Sequence, residues 1–95
     1  MHAIVRSNKF EKSLRITSKR HLFDRDELEQ IVATLAVGIP LDRRYHDHAL
    51  TGPHKGYREC HLSFDVLLIY RILKDQGIII LENIDSHDRS FRKKH

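Results

Sequence analysis

The 95 residues, 40% of them hydrophobic, suffice for one core in a single domain and exclude a disordered chain. Lys and Arg number 17 against 13 Asp and Glu, a net charge of +4 with histidine neutral; this favours an anionic partner, nucleic acid foremost, although a basic surface alone does not single one out. Cys60 is the only cysteine, so an internal disulfide is excluded and a cytoplasmic setting is expected, and neither a signal peptide nor an apolar run of bilayer length is present, so no membrane partner is expected.

Ala3, Ile4 and Val5 form a short β-branched run that predicts a first strand. Ser7 can cap a helix running to about residue 20, with Phe10 and Leu14 on one face and Lys9, Lys12, Arg15, Lys19 and Arg20 mostly on others. Asp24 and Glu27 have the spacing of a capping box, and Leu28, Ile31, Val32 and Leu35 follow at helical intervals until Gly38 and Pro40 end the second helix. Residues 41–55 read as a long connection with a turn at Gly52-Pro53, and loops of that length without regular structure are often functional. Residues 57–62 alternate well enough to pair as a hairpin with residues 66–70, an unbroken apolar run suited to the middle of a sheet, with Ser63, Phe64 and Asp65 at the turn. A turn at residues 74–77 and a strand over 78–81 complete the pattern. The expectation is an α+β fold ordered β-α-α-β-β-β over residues 1–95. Its sheet is small and largely antiparallel, two N-terminal helices pack on one face, and residues 92–95 form a basic tail.

Histidine alone carries an unperturbed pKa that lets it give and take protons near neutrality, so four histidines within residues 46–61 suggest proton transfer. Cutting RNA without a metal needs a base for the 2′-hydroxyl, an acid for the leaving 5′-oxygen and cations for the phosphorane charge. His48, His61, Asp65 and His87 are the acid–base candidates, with Lys55, Arg58 and Arg71 as nearby cations. Any one of these histidines taken alone reads as a surface or hydrogen-bonded structural residue. His46-Asp47-His48 resembles half of a metal site but lacks a third ligand at a recognised spacing, so neither metal nor cofactor is expected. His2 and His54 read as solvent-facing, and Cys60 as a small packed hydrophobe. Tyr45, Tyr57 and Tyr70 suit core packing better than base stacking, whereas Phe91, set amid charge, either folds back or offers its ring to a base.

The pieces Tyr45-His46-Asp47-His48-Ala49-Leu50-Thr51-Gly52, then residues 55–62, 65–70 and 86–91, follow a pattern that resembles the YafQ branch of the RelE/ParE toxin superfamily. The resemblance covers about half the chain in register. It implies a RelE-like fold and a bacterial toxin that cuts translated mRNA in the ribosomal A site, bound by a cognate antitoxin in a hetero-oligomer that contacts its operator through the antitoxin. Its functional positions fall on His48, His61, Asp65, His87 and Phe91. The roles it suggests are His48 or Asp65 as base, His87 as acid, and His61 with Arg58 orienting phosphate. Where members commonly have proline before the acid and tryptophan after it, this chain has Phe64 and Val66, so stacking by that tryptophan is absent. The rival readings are a ParE-like gyrase inhibitor, which needs no acid–base residues, a non-catalytic RNA-binding module, and an inactive homologue.

Overall fold

A computed structural model describes residues 1–20, 23–63 and 66–86 of the chain. The N-terminal run forms strand β1 (Ala3–Arg6), followed by helices α1 (Asn8–Lys19) and α2 (Arg25–Val37). The Ser7 hydroxyl accepts from the Phe10 N–H at 3.0 Å, satisfying one of the donors that a helix start leaves open. Asp24 caps α2 through the Asp26 N–H at 2.8 Å instead of that of Glu27, either donor being open to an N-cap side chain. Gly38 closes α2 in the left-handed conformation (φ 82°), its N–H donating to the Leu35 carbonyl.

The expected loop over 41–55 contains regular structure after all. Two 3₁₀ turns, Arg43–Tyr45 and Gly52–His54, flank a two-residue strand β2 (His48–Ala49). A strand that short shows no alternation, and only its pairing with a neighbour reveals it. Strands β3 (Arg58–Ser63), β4 (Val66–Leu73) and β5 (Ile78–Ser86) follow, the sheet order being β1-β5-β4-β3-β2 with β4 in the centre. All pairs are antiparallel except β1 with β5.

Strand β5 runs five residues past the predicted end at Leu81. Leu81 and Ile84 both lie in the core although an odd separation would put them on opposite faces. A register shift opposite Ile69 and Tyr70 inserts an extra residue and resets the alternation, so the polar Glu82 and Asn83 belong to the strand. The core lies between the helices and one sheet face: Phe10, Leu14, Leu28 and Ile31 pack with Cys60, Leu68, Tyr70, Ile79 and Ile84. Beyond Leu81, where β1 no longer pairs with β5, α1 takes over the open edge. Ser7 donates its hydroxyl to the Glu82 carbonyl at 3.0 Å, and Ser13 accepts from the Ile84 N–H at 2.9 Å. Two helix serines thus satisfy backbone groups that a bare edge would leave unpaired.

Candidate active site

The sheet face turned away from the helices carries the polar chemistry, and cross-strand register sets its rows. His48 opposes Glu59, which opposes Ile69, which opposes Asn83. In the next row His61 opposes Leu67, which opposes Asp85. His48 Nε2 lies 3.1 Å from Glu59 Oε1, and its Nδ1 lies 3.3 Å from the Ala49 carbonyl oxygen. His46 extends the second row, its ring meeting that of His61 edge-on with centroids 5.3 Å apart. Three imidazoles and a carboxylate therefore share one accessible face, with the His48 side chain half exposed.

A cavity of about 740 Å³ meets this cluster at Glu59, floored by Leu67 and Ile69, walled by Leu50 and Tyr57, and edged by Lys9, His54, Asn83 and Asp85; the three imidazoles stand beside it and do not line it. Arg71 stands at its rim, paired with Glu82 at 2.7 Å and set 5.2 Å over the Tyr57 ring. An apolar floor with a few polar groups at the edge is the usual make-up of a ligand site. Another cavity of about 380 Å³, between the helices and β1, is lined largely by Ile4, Leu14, Leu28 and Val32 and shares no residue with the cluster, so it lies apart from this chemistry.

Odd-numbered separation decides the rest. Arg58 is three residues from His61 and so faces the helix side, where its Nη2 lies 3.2 Å from Asp47 Oδ2 and its Nε 3.4 Å from the Tyr70 hydroxyl. Tyr70 also donates its hydroxyl to Asp47. Burial raises the Tyr70 pKa above the ordinary phenol value, and the bond to Asp47 raises it further. Cys60, fully buried, has its thiol pushed up to about 12 by burial and by the nearby Asp47, so it packs as a hydrophobe and is no nucleophile at neutral pH.

Of the residues singled out by sequence, the structure brings His48 and His61 onto one face beside the cavity, with Arg71 at its rim. Arg58 lies on the other face, and Lys55 is exposed beyond the second 3₁₀ turn. Asp65, His87 and Phe91, and with them residues 92–95, lie outside the described residues. Sequence reasoning missed Glu59 and His46 as neighbours of these histidines. Glu59 is two residues from His61, which strand alternation puts on the same face, but its pairing with His48 depended on the unseen β2. His2, expected to face solvent, is partly buried, with Nδ1 enclosed and its N–H on the Ala36 carbonyl. Among the described residues no group of three His, Cys, Asp or Glu side chains is arranged to hold a metal ion, and no helix is long and apolar enough to cross a membrane.

The fold has known counterparts. The mRNA interferase toxin YafQ of Escherichia coli K12 is 36% identical over 67 residues, covering 70% of this chain and 72% of that protein. A putative YafQ toxin of Haemophilus influenzae is 49% identical over 39 residues, covering 40% of this chain and 38% of its relative. Among solved structures, a metal-bound toxin from Helicobacter pylori is 42% identical with a TM-score of 0.84, covering 94% of this chain and 98% of the other. The E. coli DinJ–YafQ complex matches at 30% identity with a TM-score of 0.82, covering 96% and 99%. The model of the bacterial toxin of type II toxin–antitoxin systems, YafQ, matches residues 2–92, and the chain belongs to that family.

Proposed function

We propose that the chain is an mRNA interferase, the toxin of a type II toxin–antitoxin pair, cutting translated message on the ribosome and held in check by a cognate antitoxin. The observation that carries the reading is the cluster of His48, Glu59 and His61 on one accessible sheet face beside a cavity, in a chain of the YafQ family. The E. coli relative is named an mRNA interferase, and its structural counterpart is a complex with the DinJ antitoxin.

Cleavage proceeds by attack of the 2′-hydroxyl on the adjacent phosphate. A base draws off the hydroxyl proton, the phosphorane charge is steadied by cations and hydrogen-bond donors, and an acid protonates the departing 5′-oxygen. His48 is suited to the base role because Glu59 holds Nε2, and Nδ1, on the exposed side and only 3.3 Å from the Ala49 carbonyl, takes the hydroxyl proton once it turns from that contact to the substrate. Asp65 is the other candidate base. His61 faces the same space and orients the phosphate, with Lys55 and Arg71 as cations on the approach. His87 is the acid. Phe91 offers a ring to a base of the message, and the 740 Å³ cavity has room for a neighbouring nucleotide.

The test is cleavage of a defined message by purified protein, with and without ribosomes programmed by that message. Cutting is expected only on the ribosome, leaving 2′,3′-cyclic phosphate ends, with the rate lowered by about 10²-fold or more in His87→Ala. Equal cutting by that variant removes His87 from the mechanism. Absence of cutting by folded wild-type protein overturns the reading, and inhibition of DNA supercoiling by gyrase becomes the next assay.

A further inference from the structure

We propose that Asp47 is a positioning residue: its carboxylate, gripped by Arg58 and the Tyr70 hydroxyl on the helix side of the sheet, sets His46 and His48 on the opposite side beside His61 and Glu59. The kinetic part of this inference rests on the endoribonuclease reading; the geometric part does not.

Strand β2 is paired with β3 over only two residues, His48 with Glu59 and Ala49 with Arg58. So short a ladder leaves the segment before it free to swing unless something else ties it down. After β2 the Leu50 N–H donates to the Tyr57 carbonyl at 2.9 Å. Before β2 Tyr45, at the end of the first 3₁₀ turn, is buried in the core, and the tie nearest the histidines is Asp47. Its two carboxylate oxygens are taken up separately, Oδ2 by Arg58 at 3.2 Å and Oδ1 by Tyr70, whose ring is fully buried in the central strand. A carboxylate anchored to a core tyrosine defines where its backbone runs; alternation then sends His48 to the other face, where the contact between the His46 and His61 rings shows that His46 lies too. His46 adds a second constraint. It is the one non-glycine residue at positive φ (51°) among those described, a conformation disfavoured for histidine by roughly 1 kcal/mol or more, which persists only where surrounding contacts hold it. Arg58 is thereby assigned to this anchor: its guanidinium directs Nη2 to Asp47 and Nε to Tyr70, which fits a strut better than a phosphate clamp.

The experiment compares wild type with Asp47→Ala, Asp47→Asn and Tyr70→Phe, each checked for folding by circular dichroism and thermal melting. Two readouts are taken: the nuclear Overhauser effect between the His46 and His61 rings, and kcat and KM for cleavage on programmed ribosomes. In Asp47→Ala the ring–ring signal is expected to disappear and kcat to fall by about 10- to 100-fold, with KM changed by less than about 3-fold. Asp47→Asn, which keeps an acceptor oxygen, should retain the signal and recover most of the rate. A folded Asp47→Ala protein that keeps both the ring–ring signal and the rate overturns the proposal. Should Asp47→Ala fail to fold, Tyr70→Phe decides, because it leaves the ring in the core and removes only the hydroxyl: unchanged signal and rate there overturn the proposal equally. If wild-type protein cuts nothing, the endoribonuclease reading fails and the ring–ring signal alone decides the positioning role.

Discussion

Cys60 and Tyr70 sit fully buried on neighbouring strands, and both are kept neutral by that burial. Their titration has a definite sign. An unfolded thiol ionises from its ordinary value of 9.0, whereas the folded one resists to about 12, so the unfolded state releases its proton first as pH rises. The stability this represents is whole below pH 9 and drains away toward pH 12; Tyr70, also raised, acts in the same direction. The urea midpoint is therefore expected to fall steadily above pH 9, and Cys60→Ala, whatever it costs at neutral pH, should show a visibly shallower decline. Identical pH slopes in the two proteins would rule out the thiol as a source of the effect. The same burial explains why the residue next to a catalytic candidate, Glu59, can be chemically inert: one position along a strand is the other side of the sheet.

At the level of elements, α1 does more than cover the core, because Ser13 accepts from the Ile84 N–H and donates to the Phe10 carbonyl at 3.0 Å. Ser13→Ala leaves a partly buried backbone donor on β5 without its partner, at a cost of about 1–3 kcal/mol read by urea denaturation. A loss below about 0.5 kcal/mol would mean that water replaces the hydroxyl there. That bond joins residues 71 apart in sequence, which marks the limit of what the sequence discloses. Both helices are legible because Ser7, Asp24 and Gly38 mark their ends and apolar spacing marks their faces, and strands over 57–62 and 66–70 because alternation and an apolar run do the same, although Ser63, read as turn, belongs to β3 and β4 runs on to Leu73. Strand β2 and the far half of β5 are not, the first for want of length and the second because its bulge breaks the period on which the reading depends. The site divides in the same way. His48 and His61 stand out by residue type, whereas Glu59, His46 and the Asp47 anchor become neighbours only through β2. Asp65 and His87 stand out by residue type as His48 and His61 do, whereas Phe91 is carried mainly by the family resemblance.

Over the whole molecule the net charge of +4 is unevenly spread. The face with the histidines also bears Glu59, Glu82 and Asp85, so it is no strongly basic trough. Of the exposed cations of α1 and its C-cap, Lys9 lines the cavity, whereas Lys12, Arg15, Lys19 and Arg20 do not, and Glu11 beside them is already paired with Arg6. If attraction to polyanionic RNA resides on α1 while the chemistry resides on the sheet, the two are separable by mutation. Arg15 and Lys19 lie one turn apart and outside the cavity, so the double variant Arg15→Glu, Lys19→Glu cancels the net charge of this segment without touching the candidate site. Its association with ribosomes, measured by sedimentation over roughly 50–200 mM salt, should be weaker than wild type at every concentration, with a salt dependence shallower by about one for each phosphate the helix no longer neutralises. On the same ribosomes KM should rise while kcat at saturation stays near wild type, because uniform binding is what the helix supplies. A parallel salt dependence and an unchanged KM would place the RNA-facing surface elsewhere. A fall in kcat alone would mean that the helix orients the message as well as attracting it.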